Sequence, residues 1–418
     1  MKKATSFLAA VAVAAAVAGG IFWLNRPATI TLPDGARVTL LGVEFGKHHV
    51  YPDPKIPGER DLSPMSFDTT NDTLVVWVLQ EHKADHWPDY QAVIYDRRKT
   101  ACLNSSTREY RTIKRGAEVA GLEFNAFPRA DRKFFFGVVL WGNQGEQRVE
   151  KKLSVANPAR RYSYPAWTPR PLPDTQADGD LQVTLNRLTA ATPSPYGHVD
   201  DNLEDPADRY VRIDFTVRQN GQVVTNWQPQ QVETADATGN HIRSFLNNPR
   251  PDDPAGGYYY QSGLWPTQPW KVRLEFSRTT GFSPDETFTI TNVPVLRGPP
   301  RQVWNEWTNS AAVADTVLHG ISLKVFPAVL STNRFQNGRR NVAFKFTTDA
   351  DLEAEGLRFS LVSATDDQGR ELQNRTSRHD PHSHLFLFIE PPDTQTLNFT
   401  VAVHKSRFVE FTVDPAKP

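Results

Sequence analysis

The sequence predicts an all-β chain, with three tandem antiparallel β-sandwich domains following an N-terminal apolar helix. Three observations predict it. Apolar and polar residues alternate with period two through the body, strand-like segments recur three times in one order, and one long apolar run stands at the N-terminus.

The N-terminal element comes first. Lys2 and Lys3 precede an unbroken apolar run of eighteen residues from Phe7 to Leu24. As a helix it is about 27 Å long at ~1.5 Å per residue, close to the ~30 Å of a bilayer core. Ala16-Val17-Ala18 fits the small-x-small rule for signal cleavage. Ile21-Phe22-Trp23-Leu24 carries the run past that site, which favours an uncleaved anchor with Trp23 at the far interface and the lysines inside. The expected location is the bacterial cell envelope, with the inner membrane held through residues 7–24 and the remainder periplasmic. Cleavage as a signal peptide would release the chain instead.

Composition narrows the partners. Lys+Arg 47 balances Asp+Glu 47 across 418 residues, so no net field draws the chain to nucleic acid. Phe 24, Tyr 11 and Trp 10 supply bulk for several cores and exclude a disordered chain. A single cysteine, Cys102, excludes a disulfide framework and a multi-cysteine metal site; the thiol reads as a small, largely buried residue.

The strands follow. Val211, Ile213, Phe215 and Val217 alternate with polar neighbours, as do Trp270, Val272, Leu274 and Phe276. Val342, Phe344 and Phe346, then Leu397, Phe399, Val401 and Val403, repeat the pattern. Each marks a strand with one buried and one wet face. Asn220-Gly221, Asn337-Gly338 and Asp366-Asp367-Gln368-Gly369 read as turns, and the best helix candidate is short, Ala311 to Leu318.

Aligned, the strands form three units. Each opens with a Gly-led strand (35–46, 179–188, 320–330), and a second alternating strand follows at 74–80, 210–218 and 341–347. A third runs into a polar turn (93–99, 232–239, 361–369), where Ala235-Asp236-Ala237-Thr238-Gly239 matches Ala364-Thr365-Asp366-Asp367-Gln368-Gly369. A long apolar strand comes next (134–141, 270–277, 397–404), and the unit closes at 149–158, 287–294 and 408–415. The predicted division is 1–26 signal or anchor, 27–159 first sandwich, 160–178 Pro-rich linker, 179–297 second sandwich, 298–318 linker with a short helix, and 319–418 third sandwich.

Leu32-Pro33-Asp34-Gly35, followed by Val38 to Val43 and Phe45-Gly46, resembles the opening of uncharacterised exported bacterial proteins. The remainder resembles tandem immunoglobulin-like domains of bacterial surface proteins, which implies immunoglobulin-like sandwiches and supplies no catalytic residue.

Candidate sites are few. His379, Asp380, His382 and His384 offer nitrogen and oxygen donors for zinc or a similar ion; the plainer alternative is a polar loop with solvated histidines. Tyr258, Tyr259 and Tyr260 with Trp265 form the densest aromatic stretch, either a ligand surface or core packing. Asp200, Asp201, Glu204, Asp205 and Asp208, and separately Asp349, Asp351, Glu353 and Glu355, could gather calcium or stand as solvated loops. His48, His49 and Tyr51 open a proline-rich loop but lack a partnered nucleophile. Nucleophile elbow, phosphate loop, zincin helix and dinucleotide fingerprint are missing, so no cofactor is expected. The expected function is a non-enzymatic envelope scaffold or binding protein contacting an unknown protein or glycan. A metal-dependent or carbohydrate-active enzyme, with its site between domains, is the alternative.

Overall fold

All four alternating runs become strands with one face in a core. Val211, Ile213 and Val217 are buried, as are Trp270, Val272, Leu274 and Phe276; Phe215 is half-buried. Val342, Phe344, Phe346, Leu397, Phe399, Val401 and Val403 line another core. These come from a computed structural model, which describes residues 28–51, 65–82, 90–97, 101–103, 106–142, 145–148, 151–159, 163–192, 210–246, 257–261, 264, 268–301, 311–331, 341–372, 374–389 and 394–416. The expected anchor at 7–24, Trp265 and the acidic run from Asp200 to Asp208 lie outside them. No helix among the described residues is long and apolar enough to cross a membrane.

In chain order the strands are β1 (Thr29–Thr31), β2 (Arg37–Val50), β3 (Ser66–Glu81), β4 (Tyr90–Tyr95), β5 (Ala101–Leu103), β6 (Ser106–Lys114), β7 (Ala117–Phe124), β8 (Lys133–Gly142), β9 (Gly145–Arg148) and β10 (Leu153–Ala156). Then come β11 (Asp174–Asp178), β12 (Leu181–Thr192), β13 (Tyr210–Gln219), β14 (Gln222–Val223), β15 (Trp227–Asp236), β16 (His241–Phe245), β17 (Tyr258–Gln261) and β18 (Trp270–Arg278). The last are β19 (Thr287–Arg301), β20 (Ala314–Leu318), β21 (Ile321–Val325), β22 (Ala328–Ser331), β23 (Asn341–Thr348), β24 (Leu357–Asp366), β25 (Asn374–Asp380), β26 (Ser383–Ile389), β27 (Thr396–Lys405) and β28 (Arg407–Val413).

Sheets β1-β2-β3-β7-β6 and β10-β8-β4-β5 face each other across the first core, where Val76, Phe124, Phe134 and Phe136 meet. Sheets β11-β12-β13-β14 and β16-β15-β18-β28 enclose the second. The third core lies within one continuous sheet, β20-β21-β23-β22-β19-β27-β24, with the β25–β26 hairpin added to β23. Among the described residues the named strands pair antiparallel except β19 with β22, because β19 pairs β27 through residues 287–294 and then runs on beside β22.

Three expectations are corrected. The closing strands change places: β28 pairs with β18, bringing Val409, Phe411 and Val413 into the second core, whereas β19 pairs with β27 and brings Ile290, Val293 and Val295 into the third. The reason is steric. Only Ser406 separates β27 from β28, and a hairpin needs a loop of about two residues or more, so β28 cannot turn back onto β27. Residues 174–178, expected as linker, form the edge strand β11 against β12. Residues 314–318, expected as helix, form β20, since His319 (φ 51°) and Gly320 (φ 80°) make the two-residue turn that pairs Leu318 with Ile321.

The β2–β3 hairpin also folds back on its own sheet. Trp77 pairs with Gly42, nine residues before Tyr51, which at ~3.3 Å per residue is about 30 Å of straight strand. Yet the Tyr51 and Trp77 ring centroids are 5.6 Å apart. The far end of the hairpin is therefore a strap, placing Tyr51, Met65 and Phe67 over Val75, Trp77 and Val119 on the sheet's outer face.

Candidate functional site

Among the described residues, the side chains expected to share a metal do not converge. In the β25–β26 hairpin His379 pairs with His384 and Asp380 with Ser383, leaving His382 exposed on the turn. His384 points the other way, buried, with its ring flat on Phe359 at 4.6 Å and 3°. The strand starts at Ser383, one residue after His382, so His382 and His384 do not share a strand face. The His379 side chain lies outside the described residues. Among the described residues no three His, Cys, Asp or Glu are grouped to hold a metal ion. Asp349 instead accepts the Ser322 N–H at 2.9 Å from the neighbouring strand end, and Asp351 accepts the Glu353 N–H at 3.0 Å as a turn cap.

The tyrosines divide between two faces, because three consecutive strand residues cannot share one. Tyr260 is fully buried, its hydroxyl 2.9 Å from Thr234 Oγ1, and burial drives its pKa up. Tyr258 stacks on Phe215 with centroids 4.9 Å apart. Tyr259 faces outward, where Arg212 Nη1 donates to its hydroxyl at 3.3 Å. Of the expected aromatic surface, the three tyrosines divide into two core rings and one surface ring, and Trp265 lies outside the described residues.

Under the strap, Glu44 Oε2 lies 3.9 Å from His49 Nδ1, and His49 Nε2 lies 3.2 Å from Thr73 Oγ1. Acid, imidazole and hydroxyl stand in the order of a nucleophilic triad. The first gap exceeds hydrogen-bonding distance, however, and His49 (0% exposed) and Thr73 (2%) are closed to substrate. Glu44 also accepts from Val50 N at 2.9 Å and Trp77 Nε1 at 3.2 Å. The row fastens the strap to the sheet.

The site that the structure does build lies between the first and second cores. Arg129 follows Phe127-Pro128 on the β7–β8 connection, is 5% exposed, and reaches across the junction. Its Nε donates to Asn240 Oδ1 at 2.9 Å, Nη1 to Thr238 O at 3.4 Å and Nη2 to Asp72 O at 2.8 Å. The guanidinium carbon sits 5.0 Å and 5.1 Å from the Phe45 and Phe127 ring centroids, within cation–π range. Burial lowers the Arg129 pKa, and the Asp236 charge counters it.

Asn240 is held by Asp236, whose Oδ1 accepts from the N–H of Thr238 (2.9 Å) and of Asn240 (3.2 Å), and whose Oδ2 accepts from Asn240 Nδ2 (2.8 Å). The turn needs Gly239: its φ is +89°, and a Cβ there would stand 2.9 Å from Arg129 Nη1. Asp366 builds the same turn in the third core, accepting from Gln368 N (3.0 Å) and Arg370 N (2.8 Å) before Gly369 at φ +75°. Ala126 enters the second core, and His241 N donates to Asn125 O at 3.3 Å, so the two cores are docked.

Beside this junction opens a cleft of about 400 Å³, lined by Asp96, Arg97, Pro128, Arg129, Ala130, Asp131, Asp236, Thr238, Asn240 and Gln268. Asp96 directly follows β4, the partner of β8, and Asp236 ends β15, the partner of β18. The cleft thus gathers one such aspartate from each core. No protein-family model matches the chain, and a comparison with curated proteins gives no significant match. The site must be read from its own chemistry. It offers carboxylates, guanidinium groups and amides, and no aromatic ring in its described lining. Asp236 lay inside the turn matched between units in the sequence; Arg129 and Asp96 carry no motif.

Proposed function

We propose that the protein is a non-enzymatic scaffold or binding protein of the bacterial cell envelope. In this reading it presents three tandem immunoglobulin-like sandwiches outside the cytoplasm, held by an N-terminal anchor at residues 7–24. The observation that carries the reading is the docked junction at Arg129 and its polar cleft. A fixed cleft between cores is where a ligand can be gripped without reshaping either. The matching turns at Asp236 and Asp366 support the tandem reading. The ligand in this reading is a polar protein segment, which the charged groups and amides of the cleft suit.

The test is photo-crosslinking in intact envelopes from a benzophenone residue at Ala130 or Gln268, with exposed Val317 as the distant control. A discrete protein adduct from the cleft positions, lost on Arg97→Glu, supports the reading; equal diffuse labelling from all three sinks it. Mass spectrometry of the mature N-terminus checks the anchor. A start at Met1 or Lys2 supports it, and a start at Gly19 refutes it.

A further inference from the structure

The exchange of closing strands leaves the second and third cores joined at one place, where the chain crosses twice. It leaves the second core after Arg278 and re-enters it at Arg407. The returning strand β28 has β18 as its partner over seven residue pairs, and it contributes three side chains to the core. At the re-entry point Ser406 donates its hydroxyl to Glu275 Oε1 at 2.6 Å. Arg358, on β24 of the third core, holds the same carboxylate with Nε at 2.5 Å and with Nη2. One step back, His404 is fully buried, with Nε2 3.0 Å from Ser360 Oγ and its ring 4.9 Å from that of Phe282 on the outgoing connection.

The charges around this point are balanced only while His404 is neutral. Arg278 is paired with Glu286, Arg358 with Glu275, and Arg243 with Glu353, so each guanidinium here has its own carboxylate. Arg278 and Arg358 act on His404, with Glu286 the opposing anion, while Arg243 acts on Glu275 from β16. Lys405 is exposed, and Arg407 is engaged with Asp178 and Asp180 on the far side of Ser406. A proton on His404 therefore adds a fully buried cation beside two half-buried arginines. A proton on Glu275 removes the acceptor that ties Ser406 and Arg358 to β18.

We propose that this crossing is an acid-released latch: protonation of His404, followed by that of Glu275, frees the C-terminal strand β28 from the second core. Burial holds the His404 pKa down to about 4, with the Lys405 backbone opposing and Arg278 adding to the depression. The group is thus neutral in the closed state and becomes charged once the crossing opens. Burial raises the Glu275 pKa, but Arg358 and Ser406 outweigh it and leave it below the usual carboxylate value. Both groups oppose the closed state as pH falls. The histidine acts first, from its unfolded value near 6.5 downward. Opening exposes an unpaired β18 edge lined by Val272 and Leu274, a surface able to accept another strand.

The test is amide hydrogen exchange on the full chain at pH 7 and pH 5, corrected for intrinsic rates. Residues 407–413 and 270–276 should exchange at least tenfold faster at pH 5, with strand β3 of the first core as the reference. In His404→Gln, which can still reach Ser360, the ratio should fall below threefold. Equal protection of β28 at both pH values overturns the proposal, as does an acid response undiminished in a folded His404→Gln. A histidine NMR titration of the unaltered chain decides the matter if that variant does not fold. One imidazole must become charged over the pH range in which β28 loses protection, and the absence of such a titration overturns the latch.

Discussion

The Arg129 side chain of the first core donates its Nε–H to Asn240 Oδ1 of the second at 2.9 Å, and both residues are buried. The bond is charge-assisted and shielded from water, so each partner depends on the other. Asn240→Ala leaves a buried guanidinium N–H and the Phe127 amide without their acceptor. The expected loss is about 1.5–3 kcal/mol in the unfolding of the first two cores. Calorimetry should show their transitions separating, and small-angle scattering should show a broader distribution of sizes. A variant that melts as the unaltered chain does, with an unchanged scattering curve, would mean that the junction is held elsewhere.

The exchange of closing strands makes a prediction opposite to that of simple tandem order. Phe411 is fully buried in the second core and Ile290 is 6% exposed in the third. Phe411→Ala should cost about 3–5 kcal/mol and Ile290→Ala about 2–5 kcal/mol, each in the core it enters rather than the core its sequence neighbours form. Hydrogen exchange should rise first at 270–276 for Phe411→Ala and at 397–403 for Ile290→Ala. The reverse assignment would refute the pairing.

Why this pairing escaped a reading of the sequence is physical. Val409, Phe411 and Val413 alternate like any closing strand, and alternation states that a face is buried without stating against which sheet. The deciding feature was the single residue Ser406 between strands, and strand ends are the least legible boundaries. By contrast, the Val211 to Val217 and Leu397 to Val403 runs declared their inner faces directly. The Asp236 and Asp366 turns were legible because each depends on local spacing, an aspartate three residues ahead of a glycine. Arg129 was not, since its partner lies 111 residues away and no local pattern marks a guanidinium that bridges two cores. The short helix expected before His319 failed because the turn there, not propensity, fixed residues 314–318 as a hairpin arm.

The strap over the first sheet should loosen in acid. Burial lowers the His49 pKa, with the Glu44 charge opposing the shift. A histidine whose folded pKa lies below its unfolded value contributes stability that is complete above the unfolded value. That contribution is lost as pH falls through ~6.5 toward the folded value. Limited proteolysis should therefore cut near residues 51 and 65 faster at pH 5 than at pH 7.5, and His49→Gln should remove most of the difference. Cleavage at equal rates in the unaltered chain would show that His49 does not hold the strap.

Gly121 on β7 offers the last test, because it makes room for the ring that the strap covers. A Cβ at Gly121 would lie 2.8 Å from Trp77 Cζ3, and Trp77 is fully buried between the sheet and Tyr51. Gly121→Ala should overpack this face and cost about 1–3 kcal/mol, speeding cleavage of the strap as the indole is pushed outward. Trp77→Leu alone leaves a void under Tyr51 and is also destabilising. The two changes compensate in volume, so the double variant should be more stable than the sum of the single losses predicts, by about 1 kcal/mol or more. Strict additivity in that cycle would mean that Gly121 and Trp77 do not meet across β3 and β7.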